Sequence, residues 1–166
     1  MNFGVIINKS SENLSDDIQT YCAVNFLPQV DYVIDRENVH SFKSTDDENV
    51  AVIMNGWWLD CKWHWPPSKY IVPKFIGMSF KSDKNKAGDV IKDEWLESVG
   101  KKCFEDNQPV GVADNASKKI LLSKNIESYF SSNLALTVKR LPFDAEENNY
   151  IAIVDLNRTV QSKIKF

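Results

Sequence analysis

The stretch Asp46-Asp47-Glu48-Asn49-Val50-Ala51-Val52-Ile53-Met54-Asn55-Gly56 decides the fold class. An acidic turn that starts at Ser44 gives way to five apolar residues with no polar interruption. A strand with one wet face would alternate, and a helix would need a longer run. The continuous pattern predicts a strand buried on both faces, the kind found in parallel sheets covered by helices.

The elements on either side agree with that reading. Phe3 to Asn8 is apolar and β-branched, which predicts a first strand, and Lys9 to Ser15 is a polar loop leading to a helix. Ser15-Asp16-Asp17-Ile18 is a helix start: the Ser15 hydroxyl is placed to cap open amides, and two carboxylates sit where the helix dipole is positive. Ile18, Tyr21, Cys22 and Phe26 recur at helical spacing until Pro28, and Val30 to Ile34 is a short strand ending in the charged triplet Asp35-Arg36-Glu37. Beyond the central strand, Lys74 to Phe80 predicts another. Ile91, Trp95, Val99 and Cys103 share one face of a helix over 89–104. Pro109 to Val112 is a strand, Asn115 to Lys124 a helix, and Ser128 to Val138 and Tyr150 to Leu156 are strands. Repeated βα units imply an α/β fold, a Rossmann-like, doubly wound, mostly parallel sheet with helices on both faces. The expected domain covers 1–156. Residues 157–166, with Arg158, Lys163 and Lys165 but no acid, are expected to be a basic tail or linker.

Composition narrows the function classes. The 166 residues, 43% hydrophobic and 26% charged, can form a core without disulfide or metal. With 20 basic and 23 acidic residues the net charge is -3, so no broad cationic field favours nucleic acid. No apolar run approaches the ~20 residues of a membrane span, and the start lacks the basic flank of a signal peptide. A cytoplasmic protein is expected. Cys22, Cys61 and Cys103 show no metal-ligand spacing and read as reduced thiols.

In open α/β sheets ligands bind beyond the carboxyl ends of the strands. The loop after the first strand has neither a dinucleotide nor a P-loop motif, and no cofactor is expected. Asp16, Asp17 and Gln19 stand there, either capping the helix or accepting hydrogen bonds from sugar hydroxyls. After the central strand, Asn55-Gly56 can bring backbone close to a ligand. Four of the five tryptophans follow, Trp57, Trp58, Trp63 and Trp65. Indole rings suit stacking on a sugar face, pinning a loop to the sheet, or packing in a dimer interface. His64 reads as a structural histidine before an acid-base catalyst. Asp114 is an N-cap for the 115–124 helix or a site carboxylate.

Six segments in order resemble the N-terminal half of the polysaccharide pyruvyl transferase family: Asn13 to Gln19, Ile34 to Glu37, Ile53 to Trp57, Trp65-Pro66-Pro67-Ser68, Pro109 to Asp114 and Tyr129 to Thr137. The resemblance implies one half of a GT-B-like arrangement in glycan biosynthesis. The family moves an enolpyruvyl unit from phosphoenolpyruvate to a sugar hydroxyl, leaving a pyruvate ketal and releasing phosphate. It implies substrate-binding roles for Asp16, Asp17, Gln19, Asn55, Gly56, Trp57, Trp65, Ser68, Asp114 and Ser131, and a sugar or polysaccharide acceptor. The family's catalytic histidine belongs to the other Rossmann-like half, so no catalytic residue is assigned, and a second half or a homodimer is the expected partner. Ala113 stands where the family carries an arginine facing the donor, and a methyl group supplies neither its charge nor its bidentate geometry. Ser15 and Ser132 replace family glycines. The expectation is an incomplete or degenerate transferase without autonomous turnover, or else a non-catalytic glycan- or protein-binding module.

Overall fold

The computed structural model describes residues 1–58, 65–80 and 96–139. The expected strand over 150–156, the tail 157–166, the first half of the 89–104 helix, Cys61, Trp63 and His64 lie outside the described residues.

Six strands form one sheet in the order β2-β1-β3-β4-β5-β6. They are β1 (Asn2–Ile7), β2 (Tyr32–Asp35), β3 (Val50–Trp58), β4 (Ile71–Phe80), β5 (Val110–Val112) and β6 (Ser128–Phe130). Every pairing is parallel. The helices are α1 (Leu14–Val24), α2 (Ser98–Asp106) and α3 (Asn115–Ser123). Among the described residues, no helix is long and apolar enough to cross a membrane.

The central strand shows why the sheet is buried on both sides. Val50, Val52, Met54 and Trp58 point into the larger cluster, which includes Phe104 of α2 and Leu121 of α3. Ile53 points the other way and packs with Cys22 and Ala23 of α1 and with Leu134. Helices therefore cover both faces, and the fold is α/β and Rossmann-like, as the uninterrupted apolar run implies.

A bulge keeps β4 in phase with β3. Met54 pairs with Phe75 and Gly56 with Met78, so β4 spends one residue more than β3 over the same distance. Gly77 sits in this step with φ of 70°, a backbone conformation suited to glycine. The extra residue returns Met78 and Phe80 to the side that holds Phe75. Without it their side chains would face α1.

Several boundaries differ from the sequence reading. Asn13, not Ser15, caps α1: its Oδ1 accepts the Ser15 N–H at 3.0 Å, and the Ser15 backbone is already within the helix. The helix ends at Val24, well before Pro28. The central strand runs four residues further than its apolar stretch, through Asn55, Gly56 and Trp57 to Trp58. The expected strand from Ser128 to Val138 stops at Phe130. There Ser132 takes a φ of 63°, and Leu134–Thr137 form a 3₁₀ turn capped by Asn133, whose side chain accepts the Ala135 N–H at 2.8 Å. Leu134 turns into the core beneath α1, so one inward apolar residue satisfies the pattern that a longer strand would have used.

Candidate functional site

The strand order places β2 and β3 on opposite sides of β1. The chain leaving β1 passes through α1 toward β2, while β3 continues the sheet the other way. Connections diverge at that point, and a crevice opens beyond the strand ends. An open cleft of about 380 Å³ occurs there, lined by Asn8, Ser11, Asn13, Asp16, Arg36, Trp57 and Trp58. A recess of about 20 Å³ shares Asn8, Asp16, Arg36 and Trp57 with it and reaches down to Gln19, Thr20, Asn55 and Gly56.

Each wall is held by its own hydrogen bonds. Asn8 follows β1 and donates through Nδ2 to Asp16 Oδ2 at 3.2 Å, while Ser10 Oγ donates to Asn8 Oδ1 at 3.1 Å. This orients the carboxylate on the first turn of α1. One turn later, Thr20 Oγ1 donates to the Ile6 carbonyl at 2.7 Å and ties the helix to β1. Arg36, just past β2, donates through Nη1 to the Trp57 carbonyl at 2.8 Å and pairs through Nη2 with Glu37 at 3.2 Å. Its guanidinium thus braces the strand end that carries Trp57.

The floor is polar. Gln19 is 2% exposed and Asn55 is 7% exposed, and among the described residues neither Gln19 Oε1 nor Asn55 Oδ1 has a hydrogen-bond partner. Gly56 lies between them and the rim with φ of 83°, and a Cβ there would stand 3.9 Å from the Gln19 amide. The bare backbone lets main chain form that part of the wall. Trp57 is the outward-facing residue of this strand end, 54% exposed, whereas Trp58 is buried and donates its indole N–H to the Asn55 carbonyl at 2.8 Å.

Of the residues singled out from sequence, Asp16, Gln19, Asn55, Gly56 and Trp57 meet in this crevice. The others are elsewhere. Asp17 is on the exposed side of α1, one position round the helix from Asp16. Trp65 is core: its ring stacks on Phe104 at 4.7 Å and its N–H donates to the Gly100 carbonyl at 3.2 Å. Ser68 shapes a turn, its N–H donating to the Val39 carbonyl and its Oγ accepting the Tyr70 N–H. Asp114 caps α3, accepting the Ser117 N–H at 2.7 Å, the Ser117 hydroxyl at 2.9 Å and the Ser79 hydroxyl at 3.0 Å. Ser131 Oγ accepts the Gly77 N–H at 2.9 Å and so pins the β4 bulge. The sequence reading had not selected Asn8, Asn13 or Arg36 for the site. Each of these lies just past a strand or just before a helix, which is the positional signal that marks them.

Among the described residues, no three His, Cys, Asp or Glu side chains gather as metal ligands. Burial and the nearby Asp106 carboxylate push the Cys103 thiol up to about 12, far from a nucleophile's range. The crevice can therefore accept and donate hydrogen bonds, present one carboxylate and one indole face, and hold a ligand between them. No family model matches the chain, and neither a curated protein nor a solved structure matches it.

Proposed function

We propose that the chain is a polysaccharide pyruvyl transferase-like protein of surface glycan metabolism that contributes the sugar-acceptor side of the site. The observation that carries this reading is the exposed Trp57 indole at the mouth of a crevice floored by the Gln19 and Asn55 amides. A pyranose has a C–H face that lies on an indole and a rim of hydroxyls that needs hydrogen-bond partners, so both requirements meet in one place. Asp16 and Asn8 supply further acceptors and donors along the wall.

The donor side of the reaction has less support. Phosphoenolpyruvate carries a phosphate and a carboxylate, which call for cationic clamps. Arg36 lines the crevice but directs its guanidinium to the Trp57 carbonyl and Glu37. Ala113 offers a methyl group, and its neighbour Asp114 is occupied with capping. In the proposed arrangement the donor-binding cations and the proton-transferring group come from a second half or a partner chain. The same two observations favour the alternative, a glycan-binding module without catalysis.

Thermal-shift titration tests these readings with phosphoenolpyruvate and with galactose, glucose and mannose derivatives. Stabilisation by a sugar, lost in Trp57→Ala, is the expected result. No stabilisation by any sugar would overturn the proposal. Phosphate release from phosphoenolpyruvate on adding a donor-side partner selects the transferase, and sugar binding without turnover in that mixture selects the module.

A further inference from the structure

The recess beneath the cleft contains a feature that folding alone does not account for. The large majority of buried side-chain polar atoms in native proteins find a partner, whether protein or ordered water. Here two buried amide oxygens, Gln19 Oε1 and Asn55 Oδ1, lack one among the described residues, and both belong to residues that line the same recess. Their elements are unrelated in sequence, α1 and β3, so the convergence arises from the tertiary fold. The space between them, about 20 Å³, holds a single water-sized group.

The chemistry of the walls defines which group fits. The Asp16 carboxylate faces the same recess. Thr20 has already committed its hydroxyl proton to the Ile6 carbonyl, and Asn8 donates to Asp16. The Arg36 guanidinium also borders the space, but it is bonded to the Trp57 carbonyl and to Glu37. The unpaired acceptors are the two amide oxygens, with the Asp16 side chain on the same lining, and each amide also carries an NH2 on the same carbon. A phosphate or carboxylate would be repelled by the Asp16 carboxylate, and an apolar group would leave the amide oxygens unpaired.

We infer that this recess is a subsite for one hydrogen-bond-donating substituent of a pyranose, a hydroxyl or amino group, received by the Gln19 and Asn55 side-chain carbonyls. The inference rests on the reading of the cleft as a sugar site and deepens it. The donor enters first, the ring follows onto Trp57, and any anionic part of the ligand stays in the open cleft. Gln19 and Asn55 then determine specificity by rejecting sugars that lack a donor at that position, because the loss leaves buried carbonyls unsatisfied.

Calorimetric titration of the full chain with methyl α-D-galacto-, gluco- and mannopyranoside identifies the best glycoside, and its monodeoxyfluoro and monodeoxyamino analogues then probe each position. Fluorine preserves size but cannot donate. One position is expected to lose about tenfold in affinity on fluorination and to retain affinity with an amino group. That penalty should vanish in Gln19→Met or Asn55→Leu. Equal affinities across the fluorinated series, a penalty unchanged in both variants, or an amino analogue as weak as the fluorinated one would each overturn the subsite. Thermal unfolding of Gln19→Met gives an independent readout, since replacing an unpaired buried amide by an apolar side chain of similar shape should hold or raise Tm. A fall of several degrees would mean that the amide is satisfied in the free protein, against the inference. Failure of every parent glycoside to bind would overturn the proposed function and this inference with it, whereas binding without any positional penalty overturns the inference alone.

Discussion

Two ends of the same sheet edge use similar residues to opposite effect. Beyond β5 and β6, Asp114 holds Ser117 and Ser79 in one group of hydrogen bonds, and Ser131 holds the Gly77 amide in another. Beyond β1 and β3, Gln19 and Asn55 are buried but keep carbonyl oxygens unpaired among the described residues, and Trp57 stands out into solvent. Topology explains the contrast. The residues that follow β5 and β6 are tied back to β4, Ala113 by its N–H to the Met78 carbonyl and Ser131 by its hydroxyl oxygen, which accepts the Gly77 N–H. At β1 the chain departs toward β2 while β3 lies on the other side, and an open cleft lies between the described connections. Polar residues at a closed end contribute stability, and those at the open end remain available for binding.

That contrast can be broken by mutation. The largest effect is expected at Trp65→Ala, which removes the ring stacked on Phe104 and its bond to Gly100, at a cost of about 3–5 kcal/mol measured by urea denaturation. A loss below about 1 kcal/mol would show that this tryptophan is not core. Gly111→Ala comes next. The new Cβ would sit 2.8 Å from the Phe75 carbonyl oxygen and 2.9 Å from the Tyr129 ring, an overpacking cost of about 1–3 kcal/mol. Asp114→Ala should cost about 1–2 kcal/mol through the lost cap, with sugar affinity unchanged. If it abolished sugar binding at undiminished stability, the closed end would be functional after all.

At the open end the signs reverse. Trp57→Ala should leave stability within about 0.5 kcal/mol, because the ring is exposed, yet weaken sugar binding about tenfold in titration calorimetry. A large stability loss with unaltered affinity would make Trp57 a structural residue like Trp58. The smallest effect concerns the thiols. With Cys22 fully buried and Cys103 held as the thiol by a pKa of about 12, both should resist alkylation by iodoacetamide at pH 8 in the native protein and react on unfolding. Rapid native labelling of the Cys103 peptide would contradict the raised pKa of this half-buried thiol.

Much of the fold was legible from residue patterns. The Val50 to Met54 run implied a strand covered on both sides, and Ile18 with Cys22 marked the face of α1 that meets it, whereas Tyr21 and Phe26, read on that same face, are exposed. Errors gathered where polar residues continue a regular element or apolar ones follow its end. Asn55-Gly56 extends β3 although its residue types suggest a stop, because neighbouring Met78 and Ser79 of β4 supply the pairing. The apolar residues after Phe130 belong to a turn because Ser131 and Ser132 redirect the chain. Position after a strand led to Asp16, Gln19, Asn55 and Trp57, which line one crevice, but it weighed Ser68, Asp114 and Ser131 equally. Nothing local distinguishes a serine that holds a bulge from one that meets a ligand.

Sequence alone determined the α/β class and the parallel sheet, since these follow from hydrophobic periodicity along a few consecutive residues; the helix faces it gave only in part, because Tyr21, Phe26 and Val99, read as inward, are exposed. It also placed an unusual density of tryptophan after the central strand. Only the tertiary structure decided that Trp65 belongs to the core and Trp57 to solvent, and that Gln19 and Asn55, 36 positions apart in the chain, share one recess. Periodicity is a local property of the chain. Whether a buried polar atom finds a partner depends on which strand the fold places beside it, and here the β1/β3 divergence left two without one.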